Sequence, residues 1–316
     1  MTFEDFIKEW RGPEDFIVVR TSGSTGVPKE IRLKKNFVTK SALRTIDFFR
    51  LNHKSRLHSC VSPDFIGGKM MAVRSEIAKS EFSWEAPSNT PLKDLTPEDT
   101  IDLLAVVPSQ MFHILENLDR IPVLRNIIIG GSAIHPALRN RIAKSGLNAY
   151  ETYGMTETAS HIALRKISKE DIPFKTLEGI TVDKGNEDRL IINLENDLRI
   201  VTNDVAEIIS PTEFKILGRR DNVIISGGKK INAETLEAKL SSVLKRPEYP
   251  RFYITGIPDE KWGQKIVLVL EGLPSEELEK RIISLIEPIG ERWEIPKEIR
   301  WIPRFSFTPN GKLQRQ

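Results

Sequence analysis

The sequence predicts an α/β fold: a large N-terminal domain on a mainly parallel sheet with a small β region, then a small C-terminal α+β domain. Three observations carry this. Short β-rich runs alternate with helix-length segments from Phe16 to Tyr153, the pattern of crossover-connected strands. After about Thr176 the texture changes to short β-like runs separated by turn-rich tracts. And 316 residues, 39% of them hydrophobic, suffice for two cores.

In chain order, MTFEDFIKEW is acidic and amphipathic, unlike a basic and apolar targeting signal. Phe16–Arg20 (FIVVR) is a β run, Thr21–Gly26 a Gly/Ser/Thr loop, and Glu30–Leu33 a returning strand. Asn36–Phe49 has helical periodicity, with Asn36 as its cap. Arg56–Ser62 then reads as strand, Gly68–Ser80 as helix, Asp102–Val107 as strand and Ser109–Leu118 as helix. Asn126–Ile129 and Asn148–Tyr153 are further strands, with a helix around Pro136–Lys144 between them. Arg189–Asn193, Leu198–Thr202, Ala206–Ser210 and Phe214–Leu217, punctuated by GNED, END and SPTE, make a small antiparallel region. Beyond Gly218 come a helix capped by Asn232, strands at Phe252–Thr255 and Lys265–Leu270, a helix from Ser275 and a strand near Glu298–Ile302. We place the domain junction at Arg219–Asp221, giving domains 1–220 and 221–316.

Charge narrows the partners. Lys+Arg at 47 nearly balance Asp+Glu at 44, and the basic residues are dispersed, so no nucleic acid is expected. No apolar run approaches membrane-spanning length, so membrane insertion is not expected either and the default compartment is cytoplasmic. A homodimer stays open. Cys60 is the only cysteine, which excludes an intramolecular disulfide and a zinc site built from several cysteines. It sits in an apolar run, where a small buried thiol is the plain reading.

Thr21-Ser22-Gly23-Ser24-Thr25-Gly26-Val27-Pro28-Lys29 is the first chemical signal. Glycines let backbone approach an anion and aim successive N–H groups at it, while hydroxyls and an ammonium add donors. It is no Walker A loop, because no Gly-Lys-Ser/Thr opens a helix. Alone it is compatible with a Ser/Gly-rich hairpin turn as well as with a phosphate loop.

Distant segments then agree with one family. TSGSTGVPK resembles the signature of acyl-adenylate-forming acid–CoA ligases. So do Tyr153-Gly154-Met155-Thr156-Glu157, Thr202-Asn203-Asp204 (usually TGD), LGRRDNVIISGGKKI from Leu217, GIPDEKWGQKI from Gly256 and TPNGKLQR from Thr308. They stand in the family's order and rough spacing. Members usually carry a substantial segment before the phosphate loop, whereas this chain begins almost at that loop.

The resemblance implies ATP, Mg²⁺ and CoA, with a small-molecule carboxylic acid as substrate. Carboxylate attack on an α-phosphate brings anions together, so catalysis is mostly positioning and charge neutralisation. Thr21, Ser22, Gly23, Ser24, Thr25, Gly26 and Lys29 would cradle the β/γ-phosphates. Thr156 would donate to the α-phosphate and Glu157 would hold Mg²⁺. Tyr153 and Gly154, with Gly131, Ser132 and Ala133, would line the adenine, and Asp204 beside Arg219 the ribose. Alone, Tyr153 reads equally as packing, Asp204 as a turn residue and Glu157 as a helix-terminal carboxylate; in register, the functional reading prevails. Lys312 matches the lysine that bridges acyl carboxylate and α-phosphate. Asp221 matches the hinge about which a mobile small domain swings, bringing Ser226, Gly227, Gly228 and Lys229 to the pantetheine arm. Gly227-Gly228 alone is also a plain hairpin turn.

For the acid, LAVVPSQMFHIL (Leu104–Leu115) and IIIGGSAIHPAL (Ile127–Leu138) look closest to the o-succinylbenzoate–CoA ligases of menaquinone biosynthesis. That acid has a second carboxylate, for which Arg74 is the candidate partner; a solvated helix-face arginine is the plain alternative. Many members have an aromatic–histidine pair soon after a proline, where this chain has Pro63-Asp64-Phe65-Ile66-Gly67. Other readings are a ligase for another aryl or fatty acid, an adenylation module loading a carrier protein, and a nucleotide-binding regulatory protein on a decayed ligase fold.

Overall fold

The computed structural model describes residues 1–20, 30–195, 197–244, 248–307 and 313–315. Two units, Met1–Ile180 and Thr181–Phe307 with Leu313–Gln316, each enclose their own core. The expected phosphate loop, Thr21–Lys29, and Lys312 lie outside the described residues.

The first unit opens with α1 (Phe3–Arg11), where Thr2 and Asp5 form a reciprocal capping box. β1 (Phe16–Arg20) and β2 (Glu30–Lys34) pair antiparallel and bury Ile17, Val19 and Leu33. α2 (Lys35–Phe49) starts from Lys34 without a side-chain cap, so the expected cap Asn36 lies inside the first turn. Lys35 anchors that end instead: its N–H donates to the Asp15 carbonyl at 2.7 Å and its Nζ to the Gly12 carbonyl at 2.7 Å.

β3 (Arg56–Ser59), α3 (Ile66–Ala78), β4 (Glu81–Trp84), β5 (Thr100–Ile101), β6 (Leu103–Val106), α4 (Met111–Glu116), β7 (Val123–Leu124), β8 (Ile127–Ile129), α5 (Pro136–Lys144), β9 (Ala149–Met155), β10 (Ser160–Lys166) and β11 (Phe174–Thr176) follow. Within this unit the strands lie in the order β11-β10-β9-β8-β6-β3-β4. From β9 to β4 they are parallel, while β10 runs antiparallel to both of its neighbours, β9 and β11. β5 and β7 form a separate parallel pair. α1, α2 and α3 share one core cluster, α4 and α5 another. Sandwiched strands need continuous apolar runs, which LLAV and III supply. The order reverses between β3 and β6, so the crevice outside the strands' C-terminal ends there is the expected ligand-binding place of such a sheet.

In the second unit, β12 (Thr181–Lys184), β13 (Arg189–Asn193), β14 (Arg199–Ser210) and β15 (Glu213–Arg219) make an antiparallel meander. Leu198–Thr202 and Ala206–Ser210, expected as separate strands, belong to one continuous β14. Register shifts at Val205/Ala206 and Ile208/Ser210 interrupt its alternation and disguise its length. β16 (Val223–Ser226), β17 (Lys229–Asn232), β18 (Phe252–Asp259) and β19 (Gly263–Glu271) form an antiparallel sheet in the order β17-β16-β19-β18, and β20 (Glu298–Ile302) joins β19 in parallel. α6 (Ala233–Leu240) and α7 (Glu276–Ile286) pack on it. Asn232 caps α6, as the sequence indicates, and Ser275, expected as the first residue of the last helix, caps α7.

The units meet in sequence at Ile180/Thr181, ahead of the expected junction at Arg219–Asp221. Contacts between β15 and the elements after it account for the difference. Thr235 Oγ1 donates to the Leu217 carbonyl at 3.0 Å, and Gly218 lies against Asn232 and Glu234 with no room for a Cβ. No helix among the described residues is long and apolar enough to cross a membrane.

Candidate active site

Gly131, Ser132 and Ala133 follow β8, and Tyr153–Met155 end β9. These parallel strands place both segments on one edge of the sheet. Gly131 takes φ +88, a left-handed conformation that glycine adopts without steric cost. Gly154 has no space for a Cβ because Ser160 and His161 of β10 press on it.

Thr156 and Glu157 lie in the tight turn Thr156–Thr158 between β9 and β10. Thr158 Oγ1 ties it together: it accepts from the Met155 N–H at 3.0 Å and lies 2.7 Å from the Ser160 carbonyl. Ala159 and Ser160 follow at φ 51 and 83, left-handed for residues that carry a Cβ, a strain typical of functional turns. Ser41 on α2 supports the turn from below, donating to the Ala159 carbonyl at 2.7 Å. Thr156 is half-buried and Glu157 exposed, so the carboxylate is presented on a fixed backbone.

Tyr153 is half-buried, its ring 5.8 Å from that of Phe174. The Arg165 guanidinium sits 4.4 Å over the other ring and pairs with Glu151 at 2.8 Å; Glu151 also pairs with Arg139. A charged network thus stiffens β9 behind the tyrosine.

Arg74 on α3 is 0% exposed. The solvated-helix-face alternative therefore does not hold. Its Nη1 lies 3.7 Å from the Met71 sulfur, and Nε and Nη2 have no partner among the described residues. Burial pushes the guanidinium down to about 9. Fully buried His161 is held well below its ordinary range by burial and by the charge on Arg74, and Thr45 Oγ1 lies 2.9 Å from its Nε2. His161 stands opposite Gly154 in the β9/β10 register, which puts this buried cation behind the Tyr153–Glu157 segment. The sequence reading gave His161 no role, since it matches no histidine of the family pattern.

In the second unit, Asp204 and Arg219 face each other across β14 and β15, with Arg219 Nη1 3.4 Å from the Asp204 carboxylate. Arg219 also reaches Asp221 at 3.1 Å, so one guanidinium links both acids. The Asp204 N–H donates to Thr202 Oγ1 at 3.1 Å, and that hydroxyl bonds the Leu190 carbonyl at 2.9 Å. Ser226–Lys229 closes the β16/β17 hairpin around Gly227 (φ 55) and Gly228 (φ 76), a two-residue turn for which glycine is the natural choice. The Gly227 N–H donates to the Trp262 carbonyl at 2.9 Å, and Lys229 Nζ lies 5.3 Å over the Trp293 ring.

Although Lys312 lies outside the described residues, its flanks do not. Phe307 and Leu313 bridge, and the Gln314 N–H donates to the Ser306 carbonyl at 2.9 Å. Arg315 forms a two-pronged pair with Glu237 at 2.6 and 2.9 Å and donates to the Ile254 carbonyl at 2.6 Å. The sequence reading missed this clamp.

Three comparisons bear on this geometry. The model of the family described as AMP-binding enzyme matches residues 5–186. The solved structure of an acyl-CoA synthetase (AMP-forming)/AMP-acid ligase II-like protein from Dyadobacter fermentans is 32% identical, with a TM-score of 0.64 over 99% of this chain and 91% of that one. Among curated proteins, indoleacetate–CoA ligase of Aromatoleum aromaticum is 23% identical over 96% of this chain and 67% of its own. A 2-succinylbenzoate–CoA ligase of Bacillus cereus is 23% identical over 98% and 70%. The chain thus spans about two thirds of the length of these curated relatives.

Proposed function

We propose, because this chain belongs to the AMP-binding enzyme family, that it is an acid–CoA ligase: it activates a carboxylic acid with ATP as an acyl-adenylate and passes the acyl group to the thiol of CoA, releasing pyrophosphate and AMP. ATP and CoA are its co-substrates and Mg²⁺ its metal. The acid is o-succinylbenzoate. The observation that carries this substrate is Arg74, a buried guanidinium two of whose nitrogens have no partner among the described residues. Such a charge calls for an anion, and a planar fork suits a carboxylate. A dicarboxylate reacts at one end while its other end answers the arginine.

In this reading each residue meets a particular charge. Ser22, Ser24, Thr25, Gly26 and Lys29 hold the β/γ-phosphates. The Thr156 hydroxyl donates to the α-phosphate. Glu157, an exposed oxygen donor on a fixed turn, suits a hard cation, which supplies neutralisation of phosphate charge when bound. Tyr153 stacks on adenine beside Gly131–Ala133, and Asp204, oriented by Arg219, accepts from the ribose hydroxyls. Lys312 bridges the reacting carboxylate and the α-phosphate, a charge contact whose loss costs about 3–4 kcal/mol of barrier. A swing about Asp221 then brings Ser226–Lys229 to the thiol step.

A second reading, a ligase for a mono-carboxylic aryl acid, is favoured by the likeness to the indoleacetate–CoA ligase. ATP–pyrophosphate exchange over a panel of acids separates the two. Exchange is expected with o-succinylbenzoate and not with 4-oxo-4-phenylbutanoate, which lacks the ring carboxylate. Arg74→Ala should raise KM for the diacid by the equivalent of roughly 2–4 kcal/mol. Equal exchange with both acids would sink the o-succinylbenzoate assignment and leave the ligase. Adenylation without thioester formation on CoA would point to a carrier-protein acceptor.

A further inference from the structure

Away from the residues used above, three groups of metal-ligating chemistry meet on one face of the sheet. β3 and β4 pair in parallel with His58 opposite Ser83 and Ser59 opposite Trp84. Side chains alternate along a strand, so residues two apart share a face. Cys60 therefore follows His58 on that face, and Glu85 follows Ser83. A ring nitrogen of His58, the Cys60 sulfur and a Glu85 carboxylate oxygen all lie within 4.8 Å of one another.

The two deep members are fixed. His58 is 3% and Cys60 1% exposed. His58 Nδ1 lies 2.8 Å from Ser83 Oγ, and buried His58 Nε2 has no hydrogen-bond partner among the described residues. The Cys60 backbone is held at both ends: its N–H donates to the Ala105 carbonyl at 3.0 Å and its carbonyl accepts from Gln110 Nε2 at 3.0 Å. Glu85 is oriented by the Leu92 N–H, which reaches its two oxygens at 3.0 and 3.1 Å. A thiol hydrogen bond to Glu85 would account for two of these groups but leaves the His58 nitrogen orphaned inside the protein, which is costly.

We propose that His58 Nε2, Cys60 Sγ and the Glu85 carboxylate hold one borderline divalent cation of the Zn²⁺ class. Imidazole, thiolate and carboxylate together select Zn²⁺ over Mg²⁺, whose preference is for oxygen alone. The Ser83 hydroxyl fixes the His58 ring so that Nε2 is the ligating atom. Binding exchanges the Cys60 S–H for a sulfur–metal bond and releases that proton to solvent. Burial, and then the Glu85 charge, push the free thiol up, so one proton should leave per ion bound near neutral pH. Drawing the three atoms into a tetrahedral shell needs a closure of roughly an ångström, which half-buried Glu85, lying just past the end of β4, can supply. The ion would clip the ends of β3 and β4 together at the C-terminal edge of the sheet. This site stands apart from the ligase reading and survives its failure.

The whole chain, stripped with a chelator, is titrated with Co²⁺ and then back-titrated with Zn²⁺. Cys60 is the only cysteine, so a near-ultraviolet thiolate-to-cobalt band has only one source. The expected result is a band saturating at one ion per chain, abolished in Cys60→Ser, bleached by Zn²⁺ and untouched by millimolar Mg²⁺. Ser83→Ala, which removes only the support of the ring, should weaken binding about 10- to 100-fold with the band retained. Circular dichroism verifies that each variant is folded. No thiolate band in the folded wild type, or Co²⁺ binding of equal affinity in Cys60→Ser, overturns the proposal.

Discussion

Arg74 is fully buried, and its Nε and Nη2 have no hydrogen-bond partner among the described residues, an arrangement that costs the free protein stability. Arg74→Met keeps the volume and removes the charge. It should raise the free energy of unfolding of the ligand-free chain by roughly 1–3 kcal/mol while lowering acid-dependent exchange. Urea denaturation beside the exchange assay measures both; a destabilised Arg74→Met would mean that the guanidinium is structural. His161, neighbour to that charge, gives a pH signature. Its folded pKa is depressed, so above the ordinary value of 6.5 both states are neutral and the stability is intact. Below 6.5 the unfolded chain takes a proton that the fold refuses, and stability falls by about 1.4 kcal/mol per pH unit for that group. His161→Asn should remove about one proton from the slope of stability against pH between 6.5 and 5; an unchanged slope would assign it to other groups, of which His58 is also depressed by burial. At this scale the sequence marked Arg74 but not its burial. His161 stayed invisible because its partner cation lies on another element, and Glu85 because its meeting with Cys60 depends on the β3/β4 register.

Among the elements, the link from β9 to β10 is the most constrained. Gly154 has the Ser160 carbonyl where a Cβ would stand, Thr158 ties the turn, and two left-handed residues complete it. Gly154→Ala should force those strands apart and cost roughly 1–3 kcal/mol, with the exchange rate lost in parallel because Thr156 and Glu157 move with the turn. Thermal unfolding checks the first and the exchange assay the second; a neutral variant would show that the strand yields. The helices were legible wherever a cap or a periodicity is local: Asn232 caps as expected, and the last helix starts next to Ser275. Elements decided by tertiary pairing were not. β4 is short and β10 mixes charged with apolar residues, and the sequence reading missed both. α4 begins later than expected because Pro108–Gln110 form a 3₁₀ turn first.

For the whole molecule, the alternation of strands and helices announced the parallel sheet, and the change of texture near Thr176 falls close to the point where the two units meet in sequence. The expected junction at Arg219–Asp221 rested on a family motif; Thr235 ties the residues on either side of it together through the Leu217 carbonyl. The two-step reading makes the parts of the second unit separable by kinetics. Arg315 anchors the chain three residues after Lys312, so replacing its whole half-buried pair, Glu237→Leu with Arg315→Met, avoids a stranded charge and should cost about 1–3 kcal/mol, for the Ile254 backbone groups that lose a partner. If the clamp acts through Lys312, adenylation falls, thioester formation from a supplied acyl-adenylate does not, and Lys312→Ala combined with the pair replacement is no worse than Lys312→Ala alone. Equal loss of both half-reactions would make the clamp merely structural. Asp221→Pro tests the opposite half. A proline fixes φ near −65° and removes a backbone donor, which restrains a hinge while leaving side chains elsewhere in place. The thioester step in single-turnover assays should then fall by more than the adenylation step, the reverse of the Lys312→Ala pattern, because only the second step needs the swing. The Arg219–Asp221 pair is lost in that variant as well, and Asp221→Ala removes the pair without the ring. Asp221→Ala should spare the thioester step; if it slowed that step as much as Asp221→Pro, the ion pair rather than a hinge would be the function of this position.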